Sequence, residues 1–360
     1  FNTMQLHKFL GICLFLTMVL SCKKEEVVTD NIFKFKEYIS YTTSGRVSIA
    51  ESIDVSLTKE VEGWKMGQEI TNDLISIKPH VEGKLVVKNK HALSFVPAES
   101  LKPDTEYTVE LKLGKIYTNI TSEFMAYTFQ FKTITPNFNI ATNNLQSYNK
   151  EWQYIGGVLK SADMISLENA KKLVEASQGK TKLKVVWNES FPESKHFEFK
   201  IDSIERTLND SEILVKWNGN AIKAENQGEN TIAIPGRNNF IITKIDVVQS
   251  PEQFLSINFS DRLKKQQNFD GLVTIQNTKT PKFIIDGNVL RVYTDTKIVG
   301  NVQVDVFQGI KNDEGYKLKL PFSEVIAFEE TKPRVRLISN GTILPNSQEL
   351  KFNFEAVNLS

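Results

Sequence analysis

The chain has 360 residues, with 44 lysines and arginines against 43 aspartates and glutamates, for a formal net charge of +1. That balance offers no global field to attract nucleic acid or an anionic surface, so no nucleic-acid partner is expected. With 40% hydrophobic and 24% charged residues the composition is that of folded globular protein, and the length suggests about two to four domains.

Phe1-Asn2-Thr3 precede the first methionine and are set aside as upstream sequence. Lys8 then opens an apolar run, Phe9 to Leu20, which ends at Ser21-Cys22 and gives way at once to Lys23-Lys24-Glu25-Glu26. A basic start, about a dozen apolar residues and a small residue before a cut site describe a secretory signal peptide, residues 1–21. A membrane span would need about 20 apolar residues. The Val19-Leu20-Ser21-Cys22 ending resembles the lipobox of bacterial lipoproteins. That resemblance implies that Cys22 is acylated, becomes the first residue and anchors the chain to a membrane. An ordinary secretory cut would want a small residue at the place of Val19. Of the two cysteines, Cys13 falls in the discarded run, so the mature chain keeps Cys22 alone. One cysteine cannot form an internal disulfide, and acylation removes the free thiol. Lys24-Glu25-Glu26 after the anchor resembles the surface-export signal of Bacteroidetes lipoproteins. It implies an outer-membrane lipoprotein displayed at the cell surface, with the periplasmic face as the alternative.

Residues 22–35 read as a lipidated tether. Alternation then predicts strands at Ile53-Asp54-Val55-Ser56-Leu57, Leu74 to Pro79, Leu85-Val86-Val87, Ala92 to Pro97, Tyr107 to Leu111 and Tyr127 to Thr133. Turn signals separate them at Glu82-Gly83, Asn89-Lys90, Pro103-Asp104 and Gly114. The block 36–135 is therefore expected to be an antiparallel β-sandwich. In the next block, 136–246, apolar residues at 167, 170, 173 and 174 predict one short helix over 166–177, capped by Ser166 and stopped by Gly179. Strands resume at Leu183 to Trp187, Phe197 to Ile201, Ile213 to Trp217, Thr231 to Pro235 and Ile241-Ile242-Thr243.

The block 247–332 repeats the rhythm of the first. Phe254–Ser260 corresponds to Ile53–Leu57, Leu272–Ile275 to Leu74–Ile77, Val289–Tyr293 to Ala92–Val96, and Val302–Val306 to Tyr107–Leu111, about 195 to 201 residues apart. Duplicated sandwich modules are expected. After Lys332-Pro333, Arg334 to Ile338 and Leu350 to Val357 read as two strands without partners, so 333–360 is expected to be the truncated start of a further module in a longer protein.

Residues with catalytic or ligand-binding chemistry are few. His80, His91 and His196 are far apart and lack metal-ligand spacing. Gly156-Gly157 has no following helix to hold a phosphate. Asp270-Gly271 and Asp286-Gly287 are hairpin signals. Trp64, Trp152, Trp187 and Trp217 could form a carbohydrate platform, although Trp187 and Trp217 sit on alternating strands where core packing is expected. No catalytic, cofactor-binding or metal residue is assigned, and no enzyme activity is expected.

Val247-Val248-Gln249-Ser250-Pro251-Glu252-Gln253-Phe254-Leu255-Ser256-Ile257-Asn258-Phe259-Ser260-Asp261, Val185-Val186-Trp187 and Ile213 to Gly219 resemble the N-terminal region of bacterial alpha-2-macroglobulins, those of Bacteroidetes in particular. Lys332 to Leu337, Ile343-Leu344-Pro345 and Phe354 to Leu359 resemble the opening of a macroglobulin domain in that family. The likeness is diffuse, spans most of 35–360, and contains no short catalytic signature. It implies Ig-like and macroglobulin-like sandwich modules, with the middle block as the macroglobulin-like one. It also implies a role as the membrane-anchored front of a broad-spectrum protease trap. The partners would then be a membrane through the lipid anchor, proteases through the full-length protein, and an outer-membrane protein. The thioester some members carry needs a cysteine, and none follows Cys22. The alternative is a surface glycan-binding lipoprotein of an outer-membrane nutrient-uptake system, which would need an exposed aromatic pair on one module.

Overall fold

The computed structural model describes residues 32–329 and the backbone of 334–337 and 354–357. Cys22, Lys24, Glu25 and Glu26 lie outside the described residues. Internal contacts divide the chain into two compact units, Phe1–Thr135 and Pro136–Ser360. The break coincides with the expected boundary after residue 135.

The first unit holds β1 (Ile39–Thr42), β2 (Gly45–Val47), β3 (Ile53–Leu57), β4 (Glu69–Ile70), β5 (Ile75–Lys78), β6 (Gly83–Asn89), β7 (Ala92–Pro97), β8 (Glu106–Leu111) and β9 (Tyr127–Thr133). They form two sheets, β1-β3-β7-β6-β4 and β2-β9-β8-β5. Period-two alternation explains why these segments are strands: every second residue of β3, β8 and β9 is buried. Across β8 and β9 the buried residues face one another as Tyr107↔Phe131, Val109↔Phe129 and Leu111↔Tyr127. The Tyr107 and Phe131 rings stack with centroids 5.3 Å apart. The Tyr107 hydroxyl accepts a hydrogen bond from the Lys102 backbone N–H at 3.0 Å, which ties the loop before β8 to its first turn.

Two expectations need correction here. The tether does not run to residue 35: Phe35 is buried against Phe124 and Tyr127, because an aromatic ring that can reach this core gains more there than in water. Nor is the sandwich antiparallel throughout, because β2 runs parallel to β9. Gly45, with φ of +70°, is the first residue of β2, where the chain passes from one sheet to the other.

The second unit begins with β10 (Phe138–Ser147), β11 (Trp152–Ser166), helix α1 (Leu167–Lys171), β12 (Val174–Gln178), β13 (Thr181–Lys182), β14 (Lys184–Trp187), β15 (Glu193–Glu205), β16 (Ser211–Asn218) and β17 (Gln227–Ile234). The sheets are β10-β11-β15-β14 and β13-β12-β16-β17, closed over Ile155, Leu159, Ile201, Ile213 and Val215. The helix is 5 residues long, less than half the predicted span of 166–177. The Ser166 hydroxyl does accept from the Asn169 N–H at 3.2 Å, as an N-cap should. The helix stops at Lys171, however, and residues 174–178 are strand. Val174 and Ala176 are buried while Glu175 is exposed, and β12 pairs with β16 from Val174↔Trp217 to Ser177↔Leu214. Pairing with a neighbouring strand outweighed a helical period that only four residues supported. Gly179, with φ of +56°, closes the β12–β13 hairpin.

The third module holds β18 (Ile242–Val248), β19 (Phe254–Phe259), β20 (Val273–Ile275), β21 (Lys282–Asp286), β22 (Val289–Tyr293), β23 (Gly300–Val306) and β24 (Phe322–Phe328). Its sheets are β18-β19-β22-β21 and β20-β23-β24. The expected boundary at 246 is corrected, since it falls inside β18, which pairs with β19 along its length. Ile242-Thr243 therefore opens this module and does not close the previous one. The order repeats β1-β3-β7-β6 and β5-β8-β9 of the first unit strand for strand, as the offset of about 200 residues predicts. It is the strand order of an immunoglobulin constant-type sandwich. Two strands of the first unit have no counterpart among the described residues of the third module: β4, which covers β6, and β2, which covers β9. Asp286-Gly287 turns the β21–β22 hairpin as expected. Asp270-Gly271 instead forms a turn leading into β20 and joins no two strands.

Beyond it, β25 (Arg334–Leu337) and β26 (Phe354–Val357) pair antiparallel, from Arg334↔Val357 to Leu337↔Phe354. Among the described residues no helix is long and apolar enough to cross a membrane.

Candidate functional site

The second unit buries charge where its two modules meet. Arg206 follows β15 directly, and its side chain has no exposed surface. Its Nε donates to the Pro235 carbonyl at 2.7 Å, and Nη2 donates to the carbonyls of Gly236 at 2.7 Å and Asn239 at 3.3 Å. Nη1 donates to the Asp261 carboxylate, just past β19, whose side chain is 6% exposed. The Ser260 hydroxyl, 2.6 Å from Asp261 Oδ2, lies 3.0 Å from the Asn239 carbonyl and accepts from the Ile241 N–H at 3.0 Å. The Ser260 carbonyl accepts from Gln153 Nε2 at 3.0 Å and the Ser147 hydroxyl at 3.1 Å. Asn288 Nδ2 donates to the carbonyls of Leu145 at 3.0 Å and Phe259 at 2.9 Å. Each of these groups is withdrawn from water and most find partners, which is the condition for a buried ion pair to be tolerated. Asp313 lies at the rim, with its side chain exposed. Burial raises its carboxyl above the ordinary range, the negative charges of Glu314 and Asp261 push the same way, and Arg262 opposes them.

A second feature is aromatic. Trp152 and Tyr154 sit two residues apart on the outer face of β11, and the Tyr148 N–H donates to the Trp152 carbonyl at 2.9 Å. The rings of Tyr148 and Tyr154 lie 4.5 Å apart at 33°. Lys200 Nζ sits 5.4 Å and 5.3 Å from their centroids and donates to the Tyr148 hydroxyl at 2.7 Å. That hydrogen bond, with Asp202 at 3.1 Å, raises the Lys200 pKa. Trp152 is 42% exposed and borders a cleft of about 730 Å³ with Gln178, Lys184 and Glu205.

Of the four tryptophans expected to be candidates for a platform, Trp152 alone is strongly exposed. Trp187 is buried against Phe199 at 5.0 Å, as its strand position predicts. Trp217 is half-buried, with Nε1 donating to Asn226 Oδ1 at 3.2 Å, and Trp64 packs on the first unit's core. His80 and His91 lie near Glu82 and Glu60, at 2.7 Å and 3.6 Å, and His196 is exposed. Among the described residues no group of histidine, cysteine and carboxylate side chains could hold a metal ion. Gly156 and Gly157 lie in the middle of β11.

Sequence reasoning missed the buried joint. Ser260-Asp261 closed the segment that carried the family resemblance, yet nothing in its spacing points to Arg206, 55 residues earlier.

No family model and no curated protein matches the chain. Solved structures similar to it include surface layer protein SbsC, domains 4–9, at 13% identity and a TM-score of 0.33, covering 84% of this chain and 50% of that one. A surface glycan-binding protein of the Bacteroides ovatus mixed-linkage glucan utilization locus, SGBP-B, matches at 9% identity and a TM-score of 0.26, over 84% of this chain and 69% of that one. The ICAM-5 D1–D4 ectodomain fragment matches at 8% identity and a TM-score of 0.23, over 84% and 79%. The chain thus spans about half the length of the first of these. At such scores the likenesses carry no functional conclusion. The fold class, serial β-sandwich modules, stands on the sheet topology itself.

Proposed function

We propose that this chain is a lipid-anchored, non-enzymatic framework: the membrane-proximal modules of a bacterial alpha-2-macroglobulin-type protease trap, held at the outer membrane through Cys22. The single observation that carries the framework reading is the Arg206–Asp261 joint, which ties the middle module to the third with buried, hydrogen-bonded charge. A spacer of fixed geometry needs such a joint, whereas a flexible string of domains does not. The trap itself rests on the family resemblance of 247–261 and 332–359. In that role the modules transmit no chemistry. They set the distance of the trap from the lipid and offer interfaces on which its closure acts.

A second reading has its own observation. Tyr148 and Trp152, with half-buried Tyr154 beside them, give the middle module the exposed aromatic group that glycan binding requires. Against it, Lys200 already occupies the Tyr148 and Tyr154 rings.

One experiment separates the two. The full-length protein, extracted from membranes, is mixed with trypsin-like, elastase-like and subtilisin-like proteases and, separately, run through gels containing soluble β-glucans. The trap reading expects protease that still cuts a small peptide but no longer a large protein, and no retardation by glucan. Retardation that Trp152→Ala abolishes, without any shielding of protease, overturns it in favour of the glycan reading.

A further inference from the structure

The third module leaves open, among the described residues, an edge whose counterpart within the first unit is covered. In the first unit β6 carries β4 on its outer side, with Glu69↔Val86 and Ile70↔Leu85 as partners. The covering segment extends this with Gly67 N–H to the Val87 carbonyl and Val87 N–H to the Gln68 carbonyl, both at 2.9 Å. Glu69 pairs with Lys84 at 3.1 Å. The cap is therefore a short extended segment, acidic then apolar, laid along a strand that offers a lysine.

The counterpart of β6 is β21, which pairs with β22 and, among the described residues, with nothing on its other side. An open edge is a row of unpaired N–H and C=O groups, a template for another strand. A cleft of about 760 Å³ runs beside it, bounded by Phe283, Ile284 and Ile285 of the strand and by Arg262, Lys264 and Lys265 of the loop after β19. Ile284 points outward and is 38% exposed. Lys264 and Lys265 are exposed, and among the described residues neither has a carboxylate partner. The one carboxyl on the wall is Asp313, whose ionised form burial disfavours.

We propose that this cleft is a docking site for an extended protein segment of alternating acidic and apolar residues, supplied by a partner protein, which adds to β21 as a further strand. The backbone edge would give the pairing, Ile284 a contact for apolar side chains, and Lys264 and Lys265 the preference for acids. Within the same chain, Glu69-Ile70 on β6 shows the chemistry that such an edge accepts.

The test uses the 360-residue chain and a labelled synthetic peptide of alternating glutamate and valine, about nine residues long, near the span of a typical edge strand. A lysine–valine peptide and a backbone N-methylated copy of the acidic one serve as controls. The acidic peptide should bind at low salt, and neither control should. Lys264→Glu with Lys265→Glu, both on the surface and so harmless to folding, should weaken binding roughly five- to tenfold. Amide exchange of 282–286 should slow when the peptide is bound. Equal binding of acidic and basic peptides, binding that tolerates N-methylation, binding without protection at 282–286, or no binding at low salt would each overturn the proposal.

Discussion

Arg206 and Asp261 pair in a buried joint of the second unit, on opposite sides of its module boundary. Removing one partner of such a pair strands the other charge and costs about 3 to 5 kcal/mol, whereas removing both can be nearly neutral. Arg206→Met and Asp261→Asn should each destabilise the second unit by about that amount, and the double substitution by clearly less than their sum. Urea denaturation followed by tryptophan fluorescence checks this. Single substitutions that each cost under about 1 kcal/mol would mean the joint is not tight.

Tyr107→Phe keeps the stacked ring and loses the hydroxyl that accepts from the Lys102 N–H. The Lys102 N–H, in a part-buried hydrogen bond, then loses its protein partner, so the first unit should lose about 0.5 to 1.5 kcal/mol. The second unit's transition should not move. A loss shared by both transitions would contradict this placement.

Much of this architecture could be read from alternation, and the exceptions have physical reasons. β3, β8 and β9 alternate cleanly because one face of each is core. The segment Leu173–Ala176 fits both a helical and a strand period, and only the presence of β16 decides between them. The parallel β2 is three residues long, too short to carry a pattern. The Arg206–Asp261 contact depends on how two modules meet, which no local period encodes. Trp187 was legible as core from its strand position, whereas the prominence of Trp152 depended on where β11 begins.

Asp313 should make stability depend on pH in the acid range. Its folded pKa lies above the ordinary value of 3.8, so the folded state binds the proton more tightly. The stability this confers is complete below the ordinary value and is lost as pH rises through the folded value. Asp313→Asn keeps a neutral group there and should flatten that part of the curve. The groups facing it are Glu314, Asp261 and Arg262, so the comparison is made against wild type with all three intact. Melting temperatures measured from acid to neutral pH provide the check, and parallel curves for the two proteins would contradict it.

Cys22→Ser should abolish acylation and release the protein from the membrane fraction. Radiolabelled fatty acid and a high-salt wash of outer membranes give the readout. A substituted protein that still pellets after the wash would show that the anchor lies elsewhere.

On the proposed function, these modules position a trap and contain no inhibitory or catalytic apparatus of their own. Residues 23–360 are incubated with excess trypsin-like, elastase-like and subtilisin-like proteases, and cleavage of a large protein and of a small peptide is followed. Both activities should stay unchanged, and the chain should cut neither substrate. Selective loss of large-substrate cleavage at stoichiometric chain would contradict this reading and assign trapping to these first modules.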